Sequence, residues 1–157
     1  VDRIVSIGAF EHFRNSRHEA FFQRCREILP ADGIMMLHSI VTTSLADLRE
    51  QGIPYTQEDV RFARFIRDEI FPGGQLCAPD RIRSFAERNG FEVYHEQSLR
   101  LHYARTLDIW AESLAAAREE AIALTSQTVY DRYRKYLTGC AEQFRKGLID
   151  VMQFCMR

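Results

Sequence analysis

Apolar positions along the chain switch between continuous runs, a helical spacing of three and four, and a two-residue alternation, and each switch marks an element. Residues 2–10 (DRIVSIGAF) carry Ile4, Val5 and Ile7 in a short run ending at Gly8, the pattern of a strand buried in a parallel sheet. Phe21, Phe22, Cys25, Ile28 and Leu29 then recur at helical spacing until Pro30-Ala31-Asp32-Gly33 interrupts them, and residues 33–41 (GIMMLHSIV) read as a second buried strand. Strand, helix, turn and strand make one βαβ unit, whose crossover is right-handed almost without exception. Both strands therefore end on the same edge of the sheet, the edge where open α/β sheets bind ligands. Glu11 and His12 after the first strand and His38 near the end of the second face that edge.

Residues 44–75 are polar and irregular, with a helix expected around 60–70 and a close at Phe71-Pro72-Gly73-Gly74; an insertion of this length usually serves as a lid or binding element. Residues 79–89 form a helix stopped by Gly90, and residues 91–101 alternate as a strand. Residues 104–125 read as one long helix whose stripe of Leu107, Trp110, Leu114, Ala117, Ala121 and Leu124 needs a partner. That partner is the helix over 129–146, with Tyr133, Tyr136, Leu137, Cys140 and Phe144 on one face, and residues 148–156 close the chain as an apolar strand.

Composition narrows the function classes. The 157 residues have a formal net charge of −1 and 46% hydrophobic content, ordinary for a globular protein, and offer no broad basic field for nucleic acid. Arg132, Arg134, Lys135, Arg145 and Lys146 cluster locally, which would suit an acidic carrier protein or anionic headgroups, although a solvated helix face explains them as well. The four cysteines form no CxxC pair, so neither a metal site nor a disulfide framework is indicated, and reduced thiols fit a cytosolic setting. No apolar run reaches membrane-spanning length. A nucleotide-cofactor domain needs a glycine-rich turn after its first strand and an acid after its second; neither occurs, and Gly73-Gly74 follows a helix.

Five ordered segments, VDRIVSIGAFEHF, ILPADGIMMLHSI, EIFPGGQ, SLRLHYARTLDIWAE and VYDRYRKYLTGCAEQFRKGLIDVMQF, together resemble the mycolic acid and cyclopropane fatty acid synthases over essentially the whole chain. The resemblance implies an α/β, Rossmann-like class I methyltransferase fold of which residues 1–157 supply the fourth strand onward, antiparallel final pair included. The N-terminal cofactor-binding half would precede Val1. It further implies S-adenosylmethionine as methyl donor, attack on its methyl carbon by a cis double bond of a long acyl chain, and a carbocation that loses a proton from the added methyl group to close a cyclopropane. Bicarbonate is the implied base beside an otherwise dry channel.

On this resemblance Glu11, His38 and Tyr103 are the bicarbonate ligands, with the carbonyl of Ile7 nearby and His12 supporting the cofactor edge. Chemically the set is sensible, because His and Tyr donate to an anion and Glu11 accepts and orients its hydroxyl proton. Each also has a plainer reading: Glu11 as a helix cap, His38 as a core histidine, Tyr103 as a strand-end anchor. Cys140 occupies the family's catalytic cysteine position, but its place in a helix among Tyr136, Leu137 and Phe144 argues for channel lining rather than a nucleophile. Phe71, Leu76, Leu107, Tyr136, Phe144 and Ile149 are the implied acyl channel, whose aromatic faces suit a carbocation. The acyl substrate would arrive on an acyl carrier protein or from a membrane surface engaged peripherally. The competing reading is a non-catalytic remnant acting as an interaction module; alone, the chain is expected to be inactive.

Overall fold

A computed structural model describes residues 1–157. Four strands, β1 (Arg3–Ile7), β2 (Ile34–Thr42), β3 (Val93–Ser98) and β4 (Ile149–Met156), form one sheet in the order β1-β2-β4-β3. β1 and β2 are parallel, with Ile7 opposite His38, and β4 is antiparallel to both of its neighbours. The closing antiparallel pair expected from the resemblance is present as β3 and β4.

Helices α1 (Asn15–Ile28) and α4 (Pro79–Arg88) cover one face. Their apolar sides meet Met35, Leu37 and Val41 of β2 and Phe154 and Met156 of β4 in the larger core. Phe22, Ile82 and Phe154 have no exposed surface there, and each contributes about 1.5–3 kcal/mol by leaving water. Between β2 and α4 the chain folds into α2 (Leu45–Glu50), α3 (Gln57–Phe65) and a π-helical turn over Ile66–Ile70. Thr56 and Asp59 close a reciprocal capping box at the start of α3. The insertion expected to be irregular is thus mostly helical. On the other face, α5 (Arg100–Ala116) and α7 (Gln127–Lys146) pack together, and Ala104, Leu107, Leu137, Cys140, Ala141 and Phe144 meet Val151 of β4 in a second core.

Tertiary context corrects three expectations. β1 is not buried on both sides: Val5 is 62% and Ile7 63% exposed, whereas Ile4 packs on the larger core. The reason is that β1 has one strand neighbour, and at β1 helices cover only the face carrying Ile4, the α5/α7 pair lying over β4 and the end of β2. The helix expected over 104–125 is two, since Ala117 (φ −96°, ψ 25°) leaves helical geometry between α5 and α6 (Arg118–Leu124). There the Arg118 guanidinium lies 5.6 Å from the Tyr130 ring and donates to Gln127, turning the chain toward α7. Of the expected stripe Leu107 is buried, but Trp110 and Leu124 are 50% and 77% exposed. Lastly, the strand expected over 91–101 ends at Ser98, and Tyr103 already donates its N–H to Leu99 in the first turn of α5. The Arg100 side chain fixes that start by donating to the carbonyls of Phe144 and Arg145, at 2.8 and 2.9 Å, where a cation suits the end of α7.

Candidate active site

A cavity of about 260 Å³ opens between the carboxyl edge of the sheet, the α3 and π-turn segment, and the α5/α7 pair. Twelve of its 17 lining residues are hydrophobic, so it is shaped for an apolar ligand with few polar contacts. All six residues expected in the channel, Phe71, Leu76, Leu107, Tyr136, Phe144 and Ile149, line it. Glu11, His12, Tyr103 and Cys140 line it too.

Glu11 arrives by a local route. After β1, Gly8 (φ +62°) takes the left-handed turn that a side chain would resist, and a single 3₁₀ turn over Phe10–His12 follows. Phe10 is driven into the larger core, which leaves Glu11 buried at the cavity wall. Both carboxylate oxygens are engaged: the Ser39 hydroxyl donates to Oε2 at 2.9 Å and the Ile40 N–H to Oε1 at 3.3 Å. Hydrogen bonds to a charged group contribute about 1.5–3 kcal/mol each, so the carboxylate is held in one orientation. From the other side, Gln75 N–H donates to the Glu11 carbonyl at 2.9 Å and the Gln75 side chain accepts from the Asn15 N–H at 2.7 Å, strapping the 3₁₀ turn to α1. Glu11 is therefore not a helix cap.

Across the cavity, the rings of Tyr103 and Phe144 lie 5.5 Å apart, and Phe71 meets Tyr136 edge-on at 5.7 Å and His12 at 5.6 Å. Burial pushes the Tyr136 phenol up to about 12, with Cys140 and Tyr103 adding to the effect. The same cause pushes the Cys140 thiol up to about 12. A neutral thiol, not a thiolate, faces the cavity.

His38 and Ile7 do not line the cavity; they sit beside it. Their register pairing in β1 and β2 puts both on the sheet face that α1 and α4 leave bare, and Gln153 of β4 lies opposite His38 there. The Gln153 amide approaches His38 Nδ1 at 3.2 Å. Ile40, two residues along β2 on that same face, is part of the cavity wall, so His38 stands one step from it.

Sequence reasoning missed Ser39, Gln153, Phe62, Ile66 and Arg67. Ser39 and Gln153 act as partners of Glu11 and His38, and only the register of β2 against the 3₁₀ turn and β4 reveals them. Phe62, Ile66 and Arg67 line the cavity because the chain passes from α3 into a π-turn, a device often found at functional sites, and nothing in local periodicity announces it. The basic cluster on α7 is largely neutralised within the chain. Arg132 pairs with Glu69, Arg145 with Asp108, and Lys146 with Asp59 and Glu142.

Comparison with known proteins matches this geometry to a family. The family model described as mycolic acid cyclopropane synthetase matches residues 1–154. Cyclopropane mycolic acid synthase 3 of Mycobacterium tuberculosis is 56% identical over 156 residues, covering 99% of this chain and 54% of the relative. The solved structure of the cyclopropane synthase MmaA2 from the same organism superposes with a TM-score of 0.97 at 51% identity, covering 99% of this chain and 55% of that one. Mycolic acid cyclopropane synthase CmaA1, solved in complex with SAH and CTAB, superposes with a TM-score of 0.94 at 52% identity, again over 99% of this chain and 55% of that one. The chain thus spans about half the length of the relatives it matches, and its sheet is part of a Rossmann-like class I methyltransferase fold. With the family model matching from β1 to β4 and the superposition this close, the chain belongs to the mycolic acid cyclopropane synthetase family.

Proposed function

We propose that the protein to which this chain belongs methylates a cis double bond of a long acyl chain with S-adenosylmethionine, giving a cyclopropane or methyl-branched product through a carbocation. The observation that carries this reading is the apolar cavity with a fixed, buried carboxylate in its wall. An extended hydrocarbon fits such a lining, and exclusion of water protects a cation from premature capture. The faces of Phe71 and Tyr136 offer that cation quadrupole attraction, and Glu11 adds the field of a preorganised anion.

S-adenosylmethionine, when bound, supplies an electrophilic methyl carbon; this chain offers it Ile7 and His12 but no glycine-rich turn, so its own residues do not complete a cofactor site. The remaining half of the domain is the proposed partner, seated against β1 and its exposed Ile7, beside His38. Bicarbonate, when bound, supplies a weak base for the methyl proton. Glu11 and Tyr103 would hold it from the cavity side and His38 from the adjoining face, with Gln153 orienting the imidazole. Substrate delivery by an acyl carrier protein or from a membrane surface is part of the same proposal; no helix is long and apolar enough to cross a membrane.

The test is to join this chain to the N-terminal half of a relative and titrate S-adenosylhomocysteine by calorimetry. Saturable binding by the joined protein and none by the chain alone is expected. A joined protein that is well folded by circular dichroism yet silent in the calorimeter would sink the reading in favour of a non-catalytic module.

A further inference from the structure

Gly139 lies inside the 20-residue helix α7, a position where glycine is among the least favourable residues. No turn or positive φ there calls for it. What does is a neighbour. A Cβ built on Gly139 would stand 2.1 Å from Cε2, 2.4 Å from Cζ and 2.9 Å from Cδ2 of Phe62 on α3. The Phe62 ring therefore rests in a notch on α7 that only glycine provides.

That notch is part of the cavity wall. Tyr136, Cys140 and Gln143, at positions −3, +1 and +4 from Gly139, all line the cavity, as does Phe62 itself. A helix brings those spacings onto one side, so the ring is seated against the α7 surface that faces the ligand space. Phe62 also packs against the buried Phe65, with ring centroids 5.8 Å apart, and the Lys135 ammonium lies 4.0 Å from the Phe65 ring. The open volume next to a ring expelled from the notch is the cavity that Phe62 already lines.

We propose that the Gly139 notch and the Phe62 ring seated in it form a gauge that sets the width of the cavity, and hence the length and bulk of acyl chain it admits. The inference deepens the acyl-binding reading of this cavity and rests on it. In this arrangement Gly139 acts through Phe62, and Phe62 is the residue that touches the ligand.

The experiment uses the chain joined to the N-terminal half of a relative and cis-parinaric acid, a fluorescent long-chain polyene fatty acid, with oleate and octanoate as competitors. Gly139→Ala should weaken cis-parinarate and oleate about tenfold or more while octanoate competes nearly as before. Gly139→Ala combined with Phe62→Ala should return long-chain binding to within a few-fold of the parent. Circular dichroism monitors α7, which alanine favours intrinsically. Unchanged long-chain binding by Gly139→Ala overturns the gauge. So does a loss that the double variant fails to restore, because the defect would then lie in the α3/α7 packing rather than the ring. If the joined parent protein binds no probe at all, the acyl reading of the cavity fails first and takes the gauge with it.

Discussion

Cys140 illustrates how one residue's chemistry follows from its packing. The side chain is 8% exposed between Leu107 and Phe144, and burial alone pushes its thiol up to about 12. No cation or helix start is near enough to reverse that, so a nucleophilic role has no thiolate to draw on. At pH 8 iodoacetamide should alkylate Cys140 slower than a free thiol by about three orders of magnitude, with half-buried Cys155 labelled first; mass spectrometry of timed digests checks the order. Rapid modification of Cys140 in the folded chain would contradict this picture. The doubt about a nucleophile was already legible in the run of apolar neighbours around YLTGC. The orientation of Glu11 was not, because the hydroxyl that fixes it belongs to Ser39 on another strand.

At the scale of elements, the cavity depends on α3 being locked to α7, and Asp59 is the bolt. The carboxylate is 1% exposed; it accepts from the Thr56 N–H and hydroxyl at 2.9 and 2.6 Å, from Gln143 at 2.9 Å and from Lys146 at 3.1 Å. Burial would raise its pKa, but the donors from Thr56, Gln143 and Lys146 outweigh burial and hold it well below the usual carboxylate range. A carboxyl whose folded-state pKa is depressed contributes stability in full above the unfolded value of about 3.9 and loses it as pH falls through the folded value. Asp59→Asn should therefore cost about 2 kcal/mol at pH 7 by urea denaturation. The gap between parent and variant should narrow progressively below about pH 4. A gap independent of pH would place the effect in packing instead. The helices themselves were readable from their spacing, whereas this lock was not, since Asp59 and Lys146 are 87 residues apart in sequence.

For the molecule as a whole, the exposed apolar side of β1 is the dominant feature. Val5 and Ile7 project from an edge strand beside Met36 and His38, and such a face with a free backbone edge invites self-association. Replacing both Val5 and Ile7 with Thr, which keeps β-branching, should leave the chain monomeric at concentrations where the parent associates, with the thermal midpoint changed by only a few degrees. Sedimentation velocity across a concentration series decides it, and a parent that stays monomeric throughout would remove the argument. Burial on both faces was expected for β1 because its apolar run looks like any central strand. Whether such a run is covered depends on what packs against it, and that is not encoded in the run.

The sequence by itself determined the succession of strands and helices, the edge on which Glu11, His12 and His38 fall, and the family motifs, because periodicity, turn residues and spacing are local properties of the chain. Only the tertiary structure decided that Tyr103 and the α7 aromatics converge with Glu11 on one cavity, that His38 stands beside it with Gln153, that Ser39 orients the carboxylate, and that Phe62 sits in the notch at Gly139. These are contacts between segments far apart in sequence. Their geometry is set by how the packed layers come to rest against each other, and no single segment carries it.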